Sequence, residues 1–141
     1  MKRSMFGAVM ALVLALAANV AFAQSKSTTA SVPFAFTVND SAMPAGHYTI
    51  TEVSDRVLQI RNDDTNKSMT IIAQREESVK PQKSELVFHR YGDRYVLAEV
   101  WSDSAGRNGE GIQLSASKLE QEMRAASKDA GGPAEVVVAL R

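Results

Sequence analysis

The chain contains no cysteine. That excludes thiol catalysis, cysteine-ligated zinc and lipid attachment through an N-terminal cysteine, and it leaves any exported form without a disulfide to staple it. Histidine is nearly as scarce, with two residues, His47 and His89. Neither stands in the H-x-x-x-H or H-x-H spacing that lets two imidazoles converge on one metal ion. His47 reads as the shoulder of a turn and His89 as a residue on a sheet surface. Neither charge sign dominates, since 16 basic residues meet 16 acidic ones. Without a basic excess the phosphate-neutralising term that drives nucleic-acid binding is missing, so no nucleic-acid partner is expected.

Catalytic signatures are equally thin. No G-x-S-x-G turn is present. The S-x-x-K letters of "SASK" at Ser115–Lys118 coincide with a helix start and lack their companion motifs. Neighbouring carboxylates at Asp63-Asp64, Glu76-Glu77 and Glu120/Glu122 fall in a turn, at a strand end and on a solvated helix face, where solubility accounts for them. "GRNGEG" lacks the G-K-[ST] ending of a phosphate loop. The expectation is a protein that is not an enzyme and holds no cofactor or metal.

What the chain does have begins at its N-terminus. "MKRSMFGAVMALVLALAANVAFAQ" joins a positive start at Lys2 and Arg3 to an uncharged apolar run and an Ala21-Phe22-Ala23 ending. That order is the pattern of a secretory signal peptide, with small residues for the peptidase and cleavage after Ala23. Residues 1–23 are therefore read as a signal, and the mature chain as periplasmic or extracellular. Its length, 141 residues less 23, is 118, which suits one domain, 31–141. Removing Lys2 and Arg3 from the 16 basic residues leaves 14 against 16 acidic ones, a net charge of −2. No second apolar stretch is long enough to span a bilayer as a helix, so no membrane span is expected after cleavage.

"QSKSTTA", residues 24–30, reads as a short flexible leader. Alternation of period two then starts. Val32, Phe34, Phe36 and Val38 share one face of an expected strand that begins at Pro33 or lies at an edge. "MPAG" fits a type I turn, with Gly46 left-handed, leading into a strand "HYTITEV". "RVLQIRN" and "SMTIIAQREE" read as a third and a fourth strand. "ELVFHRYGDRYVLAEVW" is the strongest hairpin, with Gly92-Asp93 at a two-residue turn. Its register places Phe88 opposite Leu97 and Arg90 opposite Tyr95. Strict alternation puts Leu86, Phe88, Arg90, Tyr95, Leu97, Glu99 and Trp101 on one face. Ser117-Lys118-Leu119-Glu120 is a capping box, opening a surface helix near 117–128 with Leu119, Met123 and Ala126 on its docked stripe. "EVVVAL" is a terminal strand expected to pair with another, for instance the one starting at Val32.

The fold these elements predict is mainly β: a small antiparallel barrel or sandwich of six to seven strands with one C-terminal surface helix. The best candidate for a ligand or partner face is the aromatic and charged cluster Arg90, Tyr95, Glu99 and Trp101, with Tyr91 beside it. The competing explanation is cross-strand packing, with Arg90 over Tyr95.

"VPFAFTVNDSAMPAGHYTI" followed by "LVFHRYGDRYVLAEVW" resembles a family of small secreted bacterial β proteins. Its members pair a "VPF-x-F-x-V … LPAG-x-Y-x-V" start with an "L-x-F-x-R-Y-G-x-x-Y-x-L-x-x-x-W" hairpin and a late helix. Met43 stands here where that pattern has leucine. The resemblance implies a fold and an exported location. It implies no activity, because the family carries no catalytic assignment. Two roles follow as expectations: a non-catalytic module that binds a protein or envelope component, or a carrier of a small apolar ligand. The carrier needs a cavity of about 300 Å³ or more, lined by Phe34, Phe36, Tyr95 and Trp101.

Overall fold

The computed structural model describes residues 27–54, 56–72, 74–76, 83–102 and 111–141. The expected signal peptide, the first residues of the leader and the middles of the two long loops lie outside the described residues. Eleven strands and one α-helix are present among those described. Seven strands have five or more residues: β1 (Ser27–Val32), β4 (Gly46–Ser54), β5 (Val57–Asn62), β6 (Ser68–Ile72), β8 (Glu85–Tyr91), β9 (Arg94–Trp101) and β11 (Ala134–Ala139). Four are three-residue pieces: β2 (Phe36–Val38), β3 (Ser41–Met43), β7 (Gln74–Glu76) and β10 (Gly111–Gln113). The helix α1 spans Lys118–Ala126.

The strands form two sheets that face each other as a sandwich and do not close into a barrel. One sheet runs β1-β4-β5-β6, all antiparallel. The other runs β11-β8-β9-β10-β7, with β2 joined to β9 by a single parallel bridge, Thr37 to Val96. Apolar side chains from both inner faces meet between the sheets, among them Val32, Tyr48, Ile50, Leu58 and Ile60 from the first and Leu86, Phe88, Leu97 and Val100 from the second. Burying each such side chain contributes roughly 1.5–3 kcal/mol.

The stretch Val32–Val38 is not one strand. β1 ends at Val32 and β2 begins at Phe36, in the other sheet. Pro33 has no N–H to continue a ladder, so the chain leaves the first sheet there. Phe34, in the crossing, stacks on Tyr95 at 4.0 Å between ring centroids. β2 then turns back on β3 through Asn39 and Asp40, both left-handed (φ 45° and 65°) as a type I′ hairpin requires. The strand before Pro33 and the strand after Gly46 do pair, Val32 against Gly46, but that small hairpin is inserted between them. Residues 27–30, expected in the leader, belong to β1 and lie against β4. The strand alternates, with Ala30 and Val32 pointing inward and Thr29 and Ser31 pointing out.

Gly46 also differs from expectation. Its φ is 151°, not the left-handed turn value. Glycine is needed because a Cβ there would stand 2.5 Å from Asp64 Oδ2 and 2.9 Å from Asn62 Nδ2. The expected fourth strand is likewise divided, into β6 in one sheet and β7 in the other. β11 pairs with β8 rather than lying in a ladder with β1. It reaches β1 only just past its end, where Arg141 N donates to Thr29 O at 2.8 Å and Thr29 N to Arg141 O at 2.9 Å. That pair stitches the two sheets along one edge.

Candidate functional site

The β8–β9 hairpin has the expected register at its turn, with Tyr91 opposite Arg94, Arg90 opposite Tyr95 and Phe88 opposite Leu97. Gly92 takes φ 61°, as glycine does at the first place of a two-residue turn. Beyond Phe88 the ladder shifts. Val87 faces Glu99, so Ala98 is the extra residue of a β-bulge. A one-residue shift moves every later side chain to the opposite face. Arg90 and Tyr95 therefore lie on the inner face with Phe88 and Leu97, whereas Glu99 and Trp101 lie on the outer face with Val87 and His89.

The structure accordingly does not bring the expected cluster together. Tyr95 is half-buried against Phe34, and the Arg90 guanidinium lies 5.7 Å from the Tyr95 ring centre. Arg90 Nε donates to Gly92 O at 2.8 Å, which holds it over the turn. Trp101 is 7% exposed, and its Nε1 donates to Glu99 Oε2 at 2.7 Å. The Trp101 ring lies so close to Gly111 that a Cβ there would stand 2.5 Å from it.

The outer face carries a cluster built on Glu120, a residue expected from the sequence on a solvated helix face. Glu120, third residue of α1, is the helix's one buried residue, at 4% exposure. Its Oε1 accepts from His89 Nδ1 at 2.8 Å, from the Tyr91 hydroxyl at 3.1 Å and from Arg124 Nη2 at 3.3 Å. Burial alone raises the Glu120 pKa. Hydrogen bonds from His89 and Tyr91, with the charges of His89 and Arg124, outweigh that and hold the carboxyl below its ordinary value. Burial pushes the Tyr91 hydroxyl up, and the neighbouring Glu120 charge acts in the same direction against Arg124. An ionised carboxylate only accepts, so His89 Nδ1 is the donor of this contact. The Ser117 hydroxyl caps α1 by accepting from Glu120 N at 3.2 Å. The capping box is thus half made, because the Glu120 carboxylate turns to the sheet instead of back to Ser117. Leu119 and Met123 are half-buried as expected, while Ala126 is exposed.

His47 sits far from this cluster, on the other sheet. Its side chain is 70% exposed, its N–H donates to Asp64 Oδ2 at 2.9 Å, and its Nδ1 lies 3.4 Å from the same oxygen. Those contacts hold the Asp64 carboxyl below its ordinary value, the backbone donor foremost. Asn62, fully buried, organises the turn by accepting at Oδ1 from Asp64 N and Thr65 N. Among the described residues no group of three or more His, Asp or Glu side chains is placed to hold a metal ion.

A groove of about 770 Å³ lies at the seam between the sheets. Thr29, Ala30 and Ser31 of β1 form one side, Val138, Ala139 and Arg141 the other, and His47 and Asp63 one end. The backbone around the groove has a definite polarity. Leu140 N donates to Ser84 O, toward β8, and Arg141 N donates away from β8, to Thr29. Strand alternation places Glu135, Val137 and Ala139 with Arg141, so their N–H and C=O groups point off the sheet edge. No ladder partner covers them among the described residues. Val137 is also 52% exposed.

No family model matches the chain, no curated protein matches it, and no solved structure matches it. Among the described residues no helix is long and apolar enough to cross a membrane.

Proposed function

We propose that the chain is an exported, non-catalytic β module that binds a protein of the periplasm, envelope or cell exterior through the open edge of β11. The observation that carries this reading is the row of outward-pointing backbone groups at Glu135, Val137 and Ala139, beside the seam groove and the exposed Val137 side chain. An edge of this kind accepts an extended segment as an added strand, with main-chain hydrogen bonds supplying affinity. β11 carries little to block such pairing: its sequence AEVVVA has one charge and no proline or bulge. The signal-like N-terminus and the likeness to small secreted bacterial β proteins support export.

The non-catalytic part of the reading rests on the histidines. They lie on different sheets and each is engaged by a carboxylate of its own neighbourhood. The carrier reading gains no support from the four residues named for it. Phe34 stacks on Tyr95, Phe36 packs on Tyr48 and Phe88, and Trp101 lies on the opposite face of the sheet.

Intact-mass measurement on protein purified from its own cells tests export, with a chain starting at Gln24 expected and one retaining Met1 overturning it. The edge is tested with Val137→Pro. That substitution removes an outward-pointing N–H and leaves the β8 ladder intact, so the melting temperature should change little. A photo-crosslinker at Glu135 should capture a protein in the native envelope fraction from the otherwise unchanged chain and lose it in the Val137→Pro background. Capture that is indifferent to the proline, or a bound small apolar molecule in the mild-condition mass spectrum, would sink the reading.

A further inference from the structure

The helix is attached in an unusual way. Amphipathic helices dock through an apolar stripe, but here Leu119 and Met123 are only half-buried and the one buried side chain is a carboxylate. The groups that meet it are His89 and Tyr91 from β8 and Arg124 from one turn further along α1. All three donate to the same oxygen. Among the described residues Glu120 is the one buried charged side chain, and the cluster between the two sheets is made of Val, Leu, Ile, Ala, Met, Phe and Tyr side chains. Attachment of the helix and cohesion of the sheets therefore depend on different chemistry.

We propose that α1 is a charge-held latch on the outer face of the seven-stranded sheet, released by acid through protonation of Glu120 while the two sheets stay folded. A neutral carboxyl accepts more weakly, and its added proton competes with the three donors for the same small space. A cationic His89 sets a positive charge against the carboxylate, as Arg124 does, and so tightens the latch. Arg124 stays charged throughout. Release therefore waits for the carboxyl itself, and the direction of its shift places the event below the ordinary glutamate value of 4.5. Opening exposes the His89 ring and the Tyr91 hydroxyl, the two β8 groups that the Glu120 carboxylate covers.

Amide hydrogen exchange on the mature chain from pH 7 to pH 3, corrected for intrinsic rates, separates the two layers. Residues 118–126 should lose protection at a higher pH than the β8–β9 ladder. In Glu120→Gln the helix should exchange at least tenfold faster than wild type at pH 7, with the ladder still protected and the acid transition of the helix gone. Loss of protection in helix and ladder at one pH would overturn the proposal, as would Glu120→Gln protection within twofold of wild type. Should Glu120→Gln not fold, Arg124→Gln replaces it, because that side chain is half-exposed. Its helix should open at a higher pH than wild type, and an unmoved transition would refute the latch.

Discussion

His89 and Glu120, 31 positions apart in the chain, meet with Nδ1 2.8 Å from Oε1. The contact links the central hairpin to the late helix, and it makes the folded state sensitive to the charge of one carboxyl. Because the folded-state pKa of Glu120 lies below its ordinary value of 4.5, the carboxyl contributes stability above that value. The contribution is lost as pH falls through the folded value. Denaturant midpoints of wild type and Glu120→Gln, measured at intervals from pH 7 to pH 3, should differ while the Glu120 carboxyl is ionised and converge as it protonates in acid. Glu120→Ala removes the acceptor of three donors and should cost roughly 2–3 kcal/mol at pH 7. Midpoints that run parallel over the whole range would show that the cluster's charge contributes nothing.

The Glu120 cluster was legible only in part. Ser117-x-x-Glu120 announced the helix start, and the start is where it was expected. The same letters assigned the Glu120 side chain to the cap, because a capping box satisfies both residues locally. Only the tertiary placement of β8 supplies stronger donors, and nothing in the order of residues tells which partner wins. The β8–β9 register was readable from Gly92-Asp93, since turn length fixes pairing. The bulge at Ala98 was not, because Tyr95, Leu97, Glu99 and Trp101 alternate without a break in the sequence. That one extra residue divided the candidate site between two faces. The edge groups of β11 were foreshadowed by a terminal apolar strand, but their direction needed the Leu140 and Arg141 hydrogen bonds.

Trp101 and Gly111 pair across β9 and β10 with no room for a methyl group between them. A Cβ at Gly111 would meet three ring atoms at 2.5–2.6 Å, so Gly111→Ala must displace the indole or open the β9–β10 pair. Overpacking of this kind costs typically about 1–3 kcal/mol. The displaced ring also leaves its bond to Glu99, so the tryptophan fluorescence should shift to longer wavelength. An unshifted spectrum with unchanged stability would refute the close approach.

Gly46→Ala tests the first turn in a similar way. The added methyl competes with Asp64 Oδ2, the acceptor of the His47 N–H, and φ 151° is strained for any side chain. Strain at such a position costs about 1–3 kcal/mol. The loss should exceed that of Gly92→Ala, where a Cβ meets nothing within 4 Å and only the left-handed φ of 61° opposes it. Thermal melts of both variants decide the order, and the reverse order would contradict the crowding at Gly46.

Arg90 and Phe34 both lie on the Tyr95 ring, on terms that differ in kind. The guanidinium is at 5.7 Å and its side chain is exposed, whereas the Phe34 ring is stacked at 4.0 Å and also meets Phe88 edge-on at 5.1 Å. An exposed cation–π contact is worth about 0.5–1 kcal/mol, and Arg90→Ala should cost no more than that. Phe34→Ala removes the ring that covers Tyr95 and Phe88 where the chain crosses between sheets. A half-buried phenylalanine there should cost about 2–3 kcal/mol, somewhat under the range for a fully buried one. If the aromatic face were instead a ligand site, Phe34→Ala would leave stability near wild type and change only binding. Chemical denaturation of the two single variants and the double variant separates these outcomes. The double variant should lose less than the sum of the two singles, because both side chains act through the same Tyr95 ring.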